Sequence, residues 1–301
     1  MRTAEISTLV TVKNILYLTD FSQPSDAALP FATMLGRGYG ARVHALHVLI
    51  PTPYVYMTPG LTTAAIEAAE ETAQAEMQRV ESRLAGLDHK TLVERGLEVW
   101  PAVRRAIEED DVDLIVLGTH GRTGAEKLLL GSVAEEIFRR SLVPVLTIGP
   151  GVRSSIHNAG RFRRVLFATD FSPESLAAAP YATTIAEENH ARLLLLVVMR
   201  RPDAADESDK HRFEMSVAEA MHRLYEIVPQ DAKLELPPDV SVEYGEPAER
   251  IVEVARQRGA DLIVIGVRDA AGRMGAATHL ERATAHKIVA HAPCPVLTVR
   301  G

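Results

Sequence analysis

The sequence predicts an α/β protein of two tandem Rossmann-like domains, each a doubly wound five-stranded parallel sheet. Two observations support this prediction. Short motifs of the first half recur in the second half, in the same order and at offsets of 148–151 residues. Within each half, short apolar runs alternate with longer segments of helical periodicity, which is typical of a parallel sheet covered by helices on both faces.

The repeat is visible in individual motifs. The segment Asn14–Ser22 reads NILYLTDFS, and Arg164–Ser172 reads RVLFATDFS. Six such matches in one order indicate a duplicated domain. We therefore predict domains at residues 1–150 and 160–301. The stretch Gly149–Arg161 suits a linker because it holds Gly, Pro, Ser and Asn and shows little periodicity.

The elements of the first copy follow from its apolar pattern. Continuous apolar runs, typical of strands buried on both faces, are Ile15–Thr19, Val43–Leu49, Leu114–Leu117 and Val145–Ile148. Segments with helical spacing are Asp26–Arg37, Thr62–Leu87, Ala102–Glu109 and Val133–Arg140. The resulting order β-α-β-α-β-α-β-α-β predicts five strands per copy. The second copy repeats this order from Val165 to Val299.

Composition narrows the function classes. The chain of 301 residues carries a formal net charge of -7, which argues against nucleic acid as its main partner. Its apolar runs are far shorter than the roughly 20 residues that span a bilayer, and residues 1–11 lack a signal-peptide pattern, so we expect no membrane partner. The single cysteine, Cys294, cannot form an internal disulfide and reads as a small buried hydrophobe. These features favour a cytoplasmic protein.

Residues that could bind a ligand are concentrated at the predicted carboxyl edge of the first sheet. Ligands of such sheets bind beyond the strand ends at the switch in strand order. Asp20 ends the first strand, and Gly131–Ser132 opens the helix that precedes the last strand. Glycines that can adopt positive φ and approach a ligand follow the fourth strand at Gly118, Gly121 and Gly124. A helix start offers unpaired N–H groups and a positive dipole end to a phosphate, although Ser132 can also be a plain helix cap.

The pattern Gly118-x2-Gly121-x9-Gly131-Ser132, together with Asp20, resembles the ATP-binding branch of the universal stress protein family. The resemblance covers nearly the whole chain, once per copy, and implies the adenine nucleotide alpha hydrolase-like form of the fold. It implies ATP, with or without Mg²⁺, with the adenine and ribose near Asp20 and Val48 and the triphosphate on the glycine loop. The residues that the resemblance assigns to this site are Thr19, Asp20, Val48, Leu117, Gly118, His120, Gly121, Gly131, Ser132 and Val133.

The second copy departs from this pattern. Alignment places Arg282–Ala283 where Gly131–Ser132 stand in the first copy. Alanine cannot cap a helix there, and the arginine side chain would crowd an approaching phosphate, although it could also pair with one. We therefore expect one ATP per chain, in the first copy, and only a turn-forming role for Asp170.

Four other features have two interpretations each. His44 and His47 could suggest a metal, but their odd spacing on a strand points them to opposite faces. His120 could contact phosphate, act as a base or hold its loop, and we favour binding. The aromatic segment Pro51–Gly60 could cover the adenine or pack beneath the long helix. Trp100, at a helix start, is interpreted as a core residue.

The leading hypothesis is an ATP-binding regulator or sensor in a stress response. The chain has no Gly-Lys-Ser/Thr loop and no evident water-activating base, so we expect hydrolysis to be absent or slow. The alternatives are an enzyme, as a weak ATPase or adenylyl-type transferase, and a nucleotide-free interaction module. The resemblance also implies dimers through the last strand, here the apolar runs Val143–Ile148 and Val296–Val299. We expect the two copies to pair with each other and to leave other surfaces for a homodimer. The sensor hypothesis further implies a regulatory protein partner, which the sequence does not identify.

Overall fold

A computed structural model of the chain describes residues 10–50, 59–119, 131–153, 155–199, 207–268 and 276–301. The chain divides into two compact units, with a boundary between Pro150 and Gly151. Val10 belongs with the second unit, where its N–H donates to Thr184 Oγ1 at 3.2 Å. Each unit holds one copy of the repeated motifs, and each is described by itself below.

The first unit is a parallel sheet with the strand order β3-β2-β1-β4-β5. Its elements are β1 (Asn14–Leu18), α1 (Gln23–Asp26), α2 (Leu29–Tyr39), β2 (Arg42–Leu49), α3 (Pro59–Leu84), β3 (His89–Arg95), α4 (Val99–Glu109), β4 (Leu114–Gly118), α5 (Ser132–Arg140) and β5 (Val145–Ile148). The direction of strand addition reverses between β1 and β4. Helices α4 and α5 bury one face of the sheet in a cluster that includes Leu16, Ile115 and Ile137.

The second unit repeats this arrangement with the strand order β10-β9-β6-β7-β8, again all parallel. Its elements are α6 (Ser155–Asn158), β6 (Arg164–Thr169), α7 (Pro173–Leu176), α8 (Ala179–Glu188), β7 (Arg192–Met199), α9 (Glu207–Glu226), β8 (Asp239–Tyr244), α10 (Pro247–Arg258), β9 (Leu262–Val267), α11 (Ala276–His291) and β10 (Val296–Arg300). The predicted fold class is confirmed. The stretch interpreted as a linker includes α6, whose Ile156 is buried.

Helix boundaries differ from those that periodicity predicts. The helix expected over Asp26–Arg37 corresponds to α2, but it begins at Leu29, after the separate short helix α1. Pro30 lies in the first turn of α2. A proline ring clashes with the preceding turn when it stands inside a helix, but it fits a first turn, so a new helix begins there. Likewise α4 begins at Val99 rather than Ala102 and contains Pro101 in its first turn.

Two further differences have local causes. Helix α3 ends at Leu84 rather than Leu87, just before Gly86, which adopts a left-handed φ of 84°. Strand β3 has no continuous apolar run because it lies at the edge of the strand order and none of its residues is fully buried. Trp100 is partly buried against the core of the α4 and α5 face, in line with its interpretation as a core residue.

Cys294 is buried at 1% exposure, and this burial raises the pKa of its thiol far above the usual range. The interpretation of this cysteine as a small buried hydrophobe is confirmed. In the parts of the chain that the structure describes, no helix combines the length and the apolar character needed to cross a membrane.

The end of β4 packs directly on the backbone of α1. A Cβ atom added to Gly118 would lie 2.7 Å from Pro24 C and 3.0 Å from Ser25 N. Gly266 repeats this contact at the end of β9, where a Cβ would lie 2.8 Å from Glu174 C. Glycine can adopt a positive φ, but Gly118 does not use this freedom. Its φ is not left-handed, and glycine is required because two backbones touch.

Replacing either strand-end glycine by alanine is expected to destabilise its unit. Gly118→Ala and Gly266→Ala should each lower the free energy of unfolding by about 1–3 kcal/mol, because backbone atoms cannot move aside as a flexible side chain would. Gly38→Ala is the matched control, since nothing lies within 4 Å of its Cβ position on α2. Urea unfolding followed by circular dichroism measures all three. Equal midpoints for Gly118→Ala and Gly38→Ala would contradict the packing argument.

Candidate functional site

The turn between β1 and α1 is held by its own side chains. The Phe21 N–H donates to Thr19 Oγ1 at 3.0 Å, and the Ser22 N–H donates to Asp20 Oδ1 at 3.0 Å. Ser22 also caps α1 by accepting from the Ser25 N–H. Phe21 has a φ of 59°, which is rare for a bulky residue and persists only where surrounding contacts enforce it. The turn thereby fixes Asp20 at the carboxyl edge of the sheet.

Two side chains, one on β1 and one on β2, form hydrogen bonds to the backbone of this turn and of α1. The Tyr17 hydroxyl donates to the Ser25 carbonyl at 2.9 Å. His47 Nδ1 donates to the Thr19 carbonyl at 2.8 Å, and its ring lies 4.3 Å from the Phe21 ring. Sequence reasoning considered His47 only as a metal ligand and set it aside. The signal that could have found it is its place one residue before Val48, at the strand end that the motif implicates.

His44 has different surroundings from His47. Its Nε2 lies 3.3 Å from Asn14 Oδ1, and its Nδ1 lies 3.4 Å from Asp110 Oδ2. Burial lowers the pKa of His44, and the nearby Asp110 carboxylate opposes that decrease. The prediction that the two histidines point to opposite faces is consistent with these separate partners. Across the described ranges, no three His, Cys, Asp or Glu side chains are grouped closely enough to hold a metal ion.

The start of α5 is brought to the end of β4. The Thr119 N–H donates to the Ile148 carbonyl at 3.0 Å, and the Gly131 N–H donates to the Thr119 carbonyl at 2.6 Å. Gly131 is the N-cap residue of α5, and among the described residues no side chain caps this helix. The alternative interpretation of Ser132 as a plain helix cap is wrong, because Ser132 is already the first helical residue. A helix start of this kind directs first-turn N–H groups towards this edge.

The predicted site residues differ in exposure. At the carboxyl edge Thr19 is buried, whereas the others are at least partly exposed, namely Asp20, Gly118, Gly131, Ser132 and Val133. Leu117 is buried and Val48 is half-buried, both in the core of the α4 and α5 face, so they could offer a ligand only backbone groups. His120 and Gly121 lie outside the described residues, as do residues 51–58 of the aromatic segment.

The corresponding edge of the second unit has other chemistry. Arg282 and Ala283 lie within α11, so the expectation that a helix opens at these positions is wrong. At the end of β9, Arg268 Nε lies 3.2 Å from Glu174 Oε1. Asp170 accepts from the Ser172 N–H at 3.0 Å, and the hydrogen bonds that it accepts outweigh its burial and lower its pKa. The turn-forming role predicted for Asp170 is confirmed.

Comparison with known proteins follows the repeat. The sequence profile of the universal stress protein family matches residues 11–149 and again residues 161–300. The chain belongs to the universal stress protein family. A universal stress protein of Mycolicibacterium smegmatis is 26% identical over 302 residues, covering 96% of this chain and 98% of the relative. One of Methanocaldococcus jannaschii is 33% identical over 139 residues, 45% of this chain and 81% of the relative.

A solved structure supports the fold of this tandem universal stress protein. The crystal structure of a universal stress protein from Archaeoglobus fulgidus aligns with 95% of this chain and 98% of its own length. The TM-score is 0.66 and the sequence identity is 23%. At that identity the likeness speaks for the fold alone. The family assignment therefore confirms two tandem universal stress protein domains, while the ligand has to be argued from the residues of this chain.

Tyr17 is expected to make the stability of the first unit fall at high pH. Burial raises its pKa from 10.0 to about 12, with the Thr19 hydrogen bond lowering it and Asp26 raising it. The folded state thus holds the phenolic proton more tightly than the unfolded state. This contribution, roughly 2–3 kcal/mol, is complete below pH 10 and is lost as the pH rises towards 12. Urea unfolding between pH 8 and 12 measures the decrease.

The matched variant is Tyr17→Phe, because the second unit has Phe167 at the same place of its repeat. The variant should fold, and its free energy of unfolding should fall less between pH 10 and 12 than that of the parent chain. Parallel stability curves for the two proteins above pH 10 would show that Tyr17 ionises normally and would contradict its burial.

Proposed function

We propose that this universal stress protein binds ATP at the carboxyl edge of the sheet in its first unit. The observation that supports the proposal is the 2.6 Å hydrogen bond from the Gly131 N–H to the Thr119 carbonyl. It brings a helix start without a side-chain cap to the end of β4. Because β1 pairs with β4 in parallel, the Asp20 turn lies at this same edge. Phosphates bind well at such helix starts, and a carboxylate accepts hydrogen bonds from hydroxyl groups.

In this proposal the two ends of the nucleotide contact different elements. The adenine and ribose lie near Thr19, Asp20 and the backbone of Val48. The triphosphate lies on the backbone of Leu117 and Gly118 and on the first turn of α5, at Gly131–Val133. His120 and Gly121 stay predicted phosphate contacts. Mg²⁺ enters only as an ion carried by the phosphates, which is how it usually enters nucleotide sites.

We propose that the bound ATP serves regulation in a stress response. Occupancy of the first unit would shift its conformation or its choice of a protein partner, in a cytoplasmic protein that also forms homodimers. The residues described at this edge include backbone N–H groups and a carboxylate that accepts from its own turn, and no general base is evident among them. Hydrolysis normally requires a residue that positions or activates water, so turnover is expected to be slow or absent.

ATP binding is expected to depend on the Asp20 carboxylate. Asp20→Asn keeps an oxygen that can accept from the Ser22 N–H but removes the charge, so the turn should survive while ATP affinity falls about tenfold or more. Asp170→Asn makes the same change in the second unit and should leave affinity unchanged. Isothermal titration calorimetry measures affinity and stoichiometry, with one ATP per chain expected. Two ATP per chain would refute the assignment to the first unit alone.

Gly131 offers a second test at the phosphate end. Its backbone has φ -60° and ψ 151°, which any residue adopts, so substitution should not strain the chain. Gly131→Arg should abolish ATP binding by placing a long side chain at the helix start. Gly131→Ala, which adds a single methyl group, is the control and should retain binding. Equal ATP affinity of the two variants would show that the phosphate does not bind at this position.

Steady-state phosphate release separates a regulator from an enzyme. We expect turnover well below ~1 s⁻¹, the low end of ordinary enzyme rates. Faster release, reduced by Asp20→Asn, would establish the ATPase alternative instead. If the chain binds no ATP in calorimetry and carries no nucleotide after purification, the interaction-module alternative is favoured over both.

A further inference from the structure

The long helices α3 and α9 end alike in the two units, and this makes one arginine comparable between them. Arg83 precedes Leu84 on α3, and Arg223 precedes Leu224 on α9, where both leucines have 0% exposure. In the first unit Arg83 forms an ion pair with Asp26 of α1. The guanidinium of the first unit is therefore neutralised by a carboxylate from the neighbouring short helix.

The second unit lacks this carboxylate. Leu176 of α7 occupies the place of Asp26 in the repeat. The guanidinium carbon of Arg223 instead lies 4.0 Å from the centre of the Phe171 ring. A ring face attracts the positive charge but supplies no oxygen for the N–H donors of the guanidinium. Considering only the described residues, Arg223 forms an ion pair with no carboxylate.

A cavity of about 380 Å³ lies beside this arginine, between α8 and α9. Its walls are largely apolar and include Phe171, Leu176, Pro180, Ile227 and Pro229. Sites for small molecules are typically concave, apolar and of this size or larger, with few polar groups that fix the ligand's orientation. The cavity therefore has the size and the lining of a small-molecule site.

The acidic side chains of the cavity already have partners. Glu187 Oε1 accepts from the Lys233 N–H at 2.5 Å, and Glu226 Oε1 lies 3.3 Å from His222 Nε2. Arg223 differs from both, because its guanidinium N–H donors have no acceptor among the described residues, where the matching Arg83 of the first unit binds the Asp26 carboxylate. The counterpart pair therefore favours a ligand that brings a carboxylate to Arg223, and the apolar walls favour one with a flat hydrophobic body.

We propose that this cavity of the second unit binds a small aromatic carboxylate, with its ring against the apolar walls and its carboxylate on Arg223. Arginine binds carboxylates through paired N–H donors, and a ring beside Phe171 adds aromatic contact. The site shares no residue with the proposed ATP site. It gives the second unit a ligand of its own, where the first unit has an internal ion pair at the same place.

The test uses 1-naphthoate on the full chain in isothermal titration calorimetry, with 1-naphthamide as its neutral isostere. We expect saturable binding of one naphthoate per chain. The amide should bind at least about tenfold more weakly, because a charge-assisted hydrogen bond is lost. A neutral aromatic that binds equally well would show a merely apolar cavity and overturn the proposal. So would the absence of saturable naphthoate binding at millimolar concentration.

Variants at position 176 isolate the charge. Leu176→Asp imports the carboxylate of the first unit, so it should pair with Arg223 and weaken naphthoate binding about tenfold or more. Leu176→Asn has nearly the same size without the charge and should stay within about threefold of the parent chain. Circular dichroism and melting temperature verify that both variants fold. Equal affinities for the two variants would contradict the role of Arg223.

A second pair of variants tests the arginine itself. Arg223→Gln should lower naphthoate affinity about tenfold, whereas Glu226→Gln on the same helix should not lower it. Gly131→Arg, which is designed to remove ATP from the first unit, should bind naphthoate like the parent chain. This last result separates the two proposals, since either ligand can fail while the other binds.

Discussion

The close contact between the end of a central strand and the backbone of a short helix is the constraint on which the rest of each unit depends. Gly118 lies against Pro24 and Ser25, with no room for a Cβ atom. This contact sets the distance between β4 and α1, and therefore the path of the chain that leaves β1. The Tyr17 hydroxyl bonds to the same Ser25 and holds the helix from the strand side. A larger residue at position 118 would displace the turn that carries Asp20.

The turn contains a phenylalanine in an unfavourable backbone conformation, which the surrounding contacts maintain. Phe21 and Phe171 stand at matching places in the two units, with φ of 59° and 61°. A bulky residue enters this region only when other contacts outweigh the steric penalty. Here a threonine hydroxyl accepts from the phenylalanine N–H and an aspartate accepts from the serine N–H in both copies. The same local chemistry thus builds one scaffold twice.

On this common scaffold the two units differ in side chains on and around the turn that follows the first strand of each unit. In the first unit, α5 begins at Ser132, and its N-cap Gly131 has no side chain to cap it. In the second unit, α11 begins at Ala276, upstream of the matching positions 282 and 283. Further differences, first unit then second, include Tyr17 and Phe167, Pro24 and Glu174, Asp26 and Leu176, and His47 and Val197. Each exchange changes charge or hydrogen bonding without changing the backbone. A tandem chain of this kind can present two different sites on one architecture.

The sequence by itself determined the duplication, the fold class and the buried strands, and it predicted the edge of the sheet at which we propose that a ligand binds. These features follow from periodicity and from motifs short enough to be read locally. It did not determine why Gly118 is glycine, that the start of α5 lies at the end of β4, or what His47 contacts. Only the tertiary structure decided these, because each depends on atoms far apart in sequence: the Pro24 backbone beside Gly118, the Thr119 carbonyl beside Gly131, and the Thr19 carbonyl beside His47. Contacts of this kind exist only once the strands have paired.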